Sequence, residues 1–78
     1  MPHDRITTDP DVMFGKPVIK GTRIPVERLL RKLGDGQSVG SILEDHPHLE
    51  EEDIYAAVRF AADYMANEEV VPVREEPS

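Results

Sequence analysis

The chain has 78 residues, a formal net charge of −7, seven prolines, five glycines and no cysteine. A chain this short is one domain with at most a tail, and it buries only about 60% of its unfolded surface, so its core is thin. The lack of cysteine excludes disulfides and thiolate metal sites, and the longest apolar run, Ile54 to Val58, is far too short for a membrane span.

No apolar signal core opens the chain, so a cytoplasmic location is the expectation. Oligomerisation is the common remedy for so thin a core, and a homodimer or a partner complex is expected. Charge is divided unevenly. Residues 1–32 hold seven Lys/Arg against four Asp/Glu, net +3, while residues 33–78 hold two against twelve, net −10. One reading gives the chain a cationic surface for an anionic partner and an acidic surface for a basic one; the other is a solvated acidic surface that keeps the protein soluble.

Met1 to Asp4 are expected to fray and His3 to carry nothing. Arg5-Ile6-Thr7-Thr8 is a short β-type run, stopped by Asp9-Pro10, that can pair with Val18–Lys20. Two strands alone are marginal, so this ribbon must lean on helices or on another copy. The run Gly15-Lys16-Pro17-Val18-Ile19-Lys20-Gly21-Thr22-Arg23-Ile24-Pro25-Val26 reads as strand, tight turn and helix start. Its β-branched pair prefers a pleated strand, Gly21 reaches positive φ, and Pro25 suits a first helical turn.

A first helix is expected from about Pro25 to Leu33, with Val26, Leu29, Leu30 and Leu33 forming one stripe. Gly34-Asp35-Gly36 ends it, and Ser38 caps a second helix over Val39–Asp45. Gly40 weakens that helix and suggests close packing there. His46-Pro47-His48 breaks the chain before a third helix over Glu50–Asn67, with Ile54, Ala57, Val58, Ala61 and Met65 on its inner face. The acidic residues Glu50 to Asp53 suit its positive N-terminal end, and Leu49 can staple against Ile54. Tyr55 and Phe60 lie off this stripe, which hints at a face that a protein partner covers. Val70-Val71-Pro72-Val73 and the residues after it cannot continue a helix. The expected division is one tri-helical domain over residues 1–67 and a flexible acidic tail over 68–78.

Three helices with short turns outline a helix-turn-helix. Glu50 to Asp53 would meet phosphates with the wrong sign, so any DNA contact falls to Lys16, Lys20, Arg23, Arg28 and Arg31 rather than to the third helix. Solvated surface charge is the plainer reading of those five. The Gly15-Lys16…Gly21-Thr22 spacing fails as a phosphate loop, because no Lys precedes Thr22 and Pro17 interrupts the loop. His46 and His48 lack a third metal ligand and read as neutral surface histidines. The acidic cluster at Glu50–Asp53 needs no metal ion to explain it, and Ser38, Ser41 and Thr22 have no identifiable base. Nothing here points to an enzyme or a cofactor.

The GKPVIKGTRIPV run, together with Asp9-Pro10, Gly36-Gln37-Ser38, His46-Pro47-His48-Leu49 and Glu52-Asp53-Ile54, resembles the prokaryotic domain-of-unknown-function family numbered four hundred and thirty-three, of VapB-type antitoxin-like proteins. The resemblance covers roughly residues 5–65. It implies a mainly α, tri-helical, helix-turn-helix-like (homeodomain- or winged-helix-like) domain behind a short N-terminal β-element. It also implies pairing with a PIN-like nuclease toxin, which the chain would bind and neutralise. Members often carry Ser or Thr where Glu50 stands, so the third helix is expected to start less firmly here. Tyr55, Phe60, Val70, Val71 and Val73 are then the candidates for partner contact. The alternative is a DNA-binding regulator of its own operon that uses the basic first third.

Overall fold

The structure, a computed structural model, describes residues 3–67. Strand β1 (Ile6–Thr7) pairs antiparallel with β2 (Val18–Ile19), with Ile6 opposite Ile19 and Thr7 opposite Val18. The connection turns at Asp9, whose Oδ1 accepts the Asp11 N–H at 2.9 Å, and then passes through a 3-10 turn at Met13–Gly15. Met13 and Phe14 both adopt left-handed backbone, with φ of 51° and 58°.

The strand–turn–helix reading of the basic run holds. After β2, Gly21 at φ 82° lets the chain reverse, and the Thr22 N–H donates back to Ile19 O. The Thr22 hydroxyl donates to the same carbonyl at 2.7 Å and accepts the Ile24 N–H at 3.0 Å. Ile19 N–H bonds Ile24 O and Val18 bridges to Pro25, so β2 is flanked on both sides.

Helix α1 (Val26–Gly34) starts one residue after the expected position, with Pro25 as its N-cap. Pro25 has no side-chain acceptor, and the Val26 N–H is satisfied by Pro17 O at 2.9 Å. The helix ends in a Schellman motif: Gln37 N–H reaches Lys32 O, Gly36 N–H reaches Leu33 O, and Gly36 sits at φ 94°. Helix α2 (Val39–Asp45) is capped as expected, the Ser38 side chain accepting the Ser41 N–H at 3.0 Å.

Helix α3 (Glu51–Asn67) starts more firmly than Glu50 alone would allow. Asp53 Oδ2 reaches back to the Glu50 N–H at 2.8 Å, the second half of a capping box. Leu49 and Ile54 lie in one buried cluster, in the positions of a hydrophobic staple.

The core is small and central. Ile19, Leu29, Ile42 and Ile54, one from β2 and one from each helix, are fully buried. Each contributes about 1.5–3 kcal/mol by leaving water. The inner stripe of α3 is shorter than its periodicity suggests: Ile54 and Ala57 are buried, Ala61 is half-buried, and Val58 and Met65 are exposed. Ala56 is buried instead. Gly40 is exposed, and an added Cβ would meet only Ser38 Oγ at 4.0 Å, so the close packing expected there is absent. His3 is not idle. Its Nε2 pairs with Asp63 Oδ2 at 2.9 Å and its ring meets Phe60 edge-on, which docks this end of the chain on α3.

Candidate interaction surfaces

The eight Lys and Arg side chains in residues 3–67 divide into two groups. Arg5, Lys16, Lys32 and Arg59 are ion-paired, to Glu50 and Asp53, to Glu27, to Asp45 and to Glu52 respectively. Lys20, Arg23, Arg28 and Arg31 have no ion pair among the described residues. The turn after β2 carries Lys20 and Arg23, and α1 carries Arg28 and Arg31 one turn apart on its exposed side. Of the five sequence candidates for phosphate contact, four therefore keep an uncommitted charge, and Lys16 spends its charge on Glu27 at 3.1 Å.

The acidic start of α3 is committed internally. Glu50 and Asp53 bind Arg5, Glu52 binds Arg59, and Glu51 accepts the Tyr55 hydroxyl at 2.8 Å. That bond to Glu51 raises the Tyr55 phenol above its ordinary range. The Arg5 guanidinium is likewise pushed upward, by hydrogen bonds to Asp53 and then Glu50. Among the described residues no group of three or more His, Asp and Glu is arranged to hold a metal ion.

The two aromatic candidates sit in different grooves. Phe60 joins Pro17, Val26, Leu30, Tyr64 and Met65 around an apolar groove of about 240 Å³ between α1 and the end of α3. Tyr55 joins Leu33, Val39 and Val58 around a second groove of about 440 Å³ where the three helices meet. Phe60 is half-buried and stacks on Tyr64 at 6.2 Å, whereas Tyr64 and Met65 are 59% and 69% exposed. Tyr64 and Met65 give the first groove its outer wall; the helical spacing assigned Met65 inward and left Tyr64 unremarked. Val70, Val71 and Val73 lie outside the described residues.

One feature escaped the sequence reading and another departs from it. Phe14 is 94% exposed at the tip of the left-handed turn, and no local pattern marks it. His46 is half-buried rather than a plain surface histidine, and its Nε2 is enclosed without a hydrogen-bond partner. Burial, then Lys32, lowers its pKa. Beside it, hydrogen bonds from Gln37 and then Lys32 hold the Asp45 carboxyl below its usual range. His46 and His48 also line a third cleft of about 640 Å³, together with Thr7, Thr8, Val12, Val18 and Arg23.

Comparison with known proteins places these features in a wider set. A family model described as "Protein of unknown function (DUF433)" matches residues 6–61. An uncharacterized protein of Sinorhizobium fredii, y4eO, is 39% identical over 56 residues, covering 72% of this chain and 25% of that protein. An uncharacterized protein of Archaeoglobus fulgidus is 61% identical over 28 residues, 36% of this chain and 78% of its own length. The crystal structure of a DUF433 member from Anabaena variabilis superposes with a TM-score of 0.75 at 31% identity, over 80% of this chain and 61% of that one. The chain thus spans a quarter of the Sinorhizobium protein and under two thirds of the Anabaena one.

Proposed function

The chain belongs to the DUF433 family, and from that membership we propose that it is an interaction protein, the antitoxin of a type II pair that binds and neutralises a PIN-like ribonuclease toxin. The observation that carries this reading is the second half of α3. There Tyr64 and Met65 stand exposed beside an apolar groove, past the point where the core ends. Apolar surface rimmed by charge is the usual mark of a protein contact. The net −10 of residues 33–78 suits the basic surround of an RNA-cleaving site, and favours encounter with it. The chain itself performs no chemistry in this reading; it acts as a cytoplasmic dimer, and residues 68–78 extend the contact along the toxin.

The test is to search the adjacent reading frame for a PIN-like nuclease and to co-express the chain with it. A complex that survives gel filtration and has lost its RNA cleavage is the expected result. A stable complex that cleaves RNA at full rate overturns the reading, whereas removal of residues 68–78 should weaken neutralisation without unfolding the domain.

The alternative, a DNA-binding regulator, draws on the uncommitted charges of Lys20, Arg23, Arg28 and Arg31. It requires binding to the chain's own promoter that falls steeply with salt, since each phosphate contact releases counterions. Binding absent at low salt removes it.

A further inference from the structure

The exposed sides of the three helices differ in character. On α1 the exposed residues are Glu27, Arg28, Arg31 and Gly34, and on α2 they are Gly40, Glu44 and Asp45. On α3 the side turned away from the core carries Tyr55, Val58, Ala62 and Ala66, all exposed and spaced by three, four and four residues. That spacing gathers them into one stripe about 17 Å long. The opposite side of the same helix is already buried through Ile54 and Ala57. A helix that is apolar on two sides is one that is covered on two sides. The second groove, walled by Leu33, Val39, Tyr55 and Val58, adjoins the stripe and widens its apolar surface.

Covering the stripe strands no polar group. The Tyr55 hydroxyl donates to Glu51 and the Arg59 guanidinium to Glu52, both within α3. The stripe also complements itself. Its first half is bulky, Tyr55 and Val58, and its second half is small, Ala62 and Ala66. A second copy turned end for end about an axis at Phe60–Ala61 sets its Ala66 against Tyr55 and its Ala62 against Val58. Large then meets small all along the seam, as close packing about a two-fold axis requires. The same placement brings Arg59 level with Asp63 of the partner, opposite charges at the edge of the seam, and keeps the two acidic helix starts apart. A parallel pair would instead set Tyr55 on Tyr55, Ala62 on Ala62, and the two Glu51–Glu52 ends side by side.

We propose that α3 pairs antiparallel with α3 of a second copy through Tyr55, Val58, Ala62 and Ala66, forming a two-fold dimer. A chain with so thin a core gains from its own copy the apolar cover it lacks. The two grooves walled by Tyr64 and Met65 fall at opposite ends of the pair and stay open. The dimer is the one invoked in the antitoxin reading, but this surface owes nothing to a nuclease, and the chain alone forms it.

The test is sedimentation equilibrium of the full chain by itself from about 1 µM to about 1 mM, the range in which a small interface associates. A mass that rises from one chain to two is expected. Val58→Glu and Ala62→Glu should each weaken the dimer about thirtyfold or more, since each buries an unpaired charge in the seam. Both positions are exposed and glutamate suits a helix, so helix content measured by circular dichroism at low concentration should not change. The chain has no cysteine, so Tyr55→Cys and Ala66→Cys report the direction of pairing. Oxidised together they should cross-link to each other, whereas Ala66→Cys alone should not. A chain that stays monomeric at about 1 mM, or a dimer that both glutamate variants leave intact, overturns the proposal. An Ala66→Cys chain that links to itself overturns the antiparallel order. None of these outcomes depends on a nuclease, so the antitoxin reading is tested apart from this one.

Discussion

Arg5 Nη1 donates to Asp53 Oδ1 at 2.9 Å and to Glu50 Oε1 at the same distance, joining the residue before β1 to the first turn of α3. Asp53 is 8% exposed, and its other oxygen caps the Glu50 N–H. One carboxylate thus fixes a helix start and its contact with the ribbon. Asp53→Ala should cost about 2 kcal/mol, because it removes a cap and leaves Arg5 and the Glu50 N–H short of partners. For a domain of this size that lowers the melting temperature by roughly 10 °C. Asp53→Asn keeps an acceptor for the cap and should lose less. Equal losses in the two variants would show that the charge, not the cap, matters.

Gly40 offers the opposite case. It lies in the first turn of α2, exposed, with nothing near the site of a Cβ but Ser38 Oγ at 4.0 Å. Gly40→Ala should stabilise by about 0.5–1 kcal/mol through the lower entropy of the unfolded chain. A denaturant midpoint that falls would place a contact at this position that the structure lacks.

How far the chain could be read in advance depended on distance along it. The Gly21–Thr22 turn, the Ser38 cap and the Gly36 terminus were legible because each satisfies its hydrogen bonds within a few residues. The Arg5–Asp53 pair closes a separation of 48 residues and the His3–Asp63 pair one of 60, which no local pattern encodes. The spacing along α3 gave its inner side but not where burial stops. That limit is set by its neighbours: α1 has nine residues and α2 seven, against 17 in α3. At 1.5 Å per residue α1 is about 14 Å long and α3 about 25 Å, so the last turns of α3, Met65 among them, are left exposed. The cleft beside His46 and His48 was illegible for the same reason as the ion pairs, being assembled from segments far apart in the sequence.

The pH dependence of stability should carry a signature of His46. Burial and then Lys32 depress its pKa below the usual 6.5. Between that depressed value and 6.5, the unfolded chain binds a proton that the native imidazole does not. Stability therefore falls as pH drops through this window and owes nothing to His46 above it. His46→Gln cannot titrate, so its melting temperature should decline less than that of the parent chain from pH 7 to 5.5. Parallel curves would mean that the ring is not held neutral by burial.

Phe14 holds left-handed backbone at φ 58° with a side chain 94% exposed. A non-glycine residue there is strained by about 1–2 kcal/mol, and almost no burial offsets it. Phe14→Gly should raise stability by about 1 kcal/mol, read from thermal or urea unfolding. A loss instead would show that the ring is covered in solution, as in a dimer, and a concentration-dependent midpoint would confirm that cover.

The antitoxin reading and its alternative use different sides of the molecule, so single substitutions can separate them. Met65 is 69% exposed on α3 and touches the apolar groove, whereas Arg31 stands on the exposed side of α1. Met65→Glu should leave stability within about 0.5 kcal/mol, as surface changes usually do. If α3 seats the toxin, the same change buries a charge in the contact and should weaken neutralisation by about thirtyfold or more, the effect of a hot-spot loss of roughly 2 kcal/mol. Arg31→Ala should leave neutralisation intact and reduce the salt dependence of any DNA binding by about one phosphate contact. A toxin inhibited equally by both variants would move the interface off this end of α3. Loss of neutralisation in Arg31→Ala alone would put it on α1, where the free cations rather than the apolar groove would meet the nuclease.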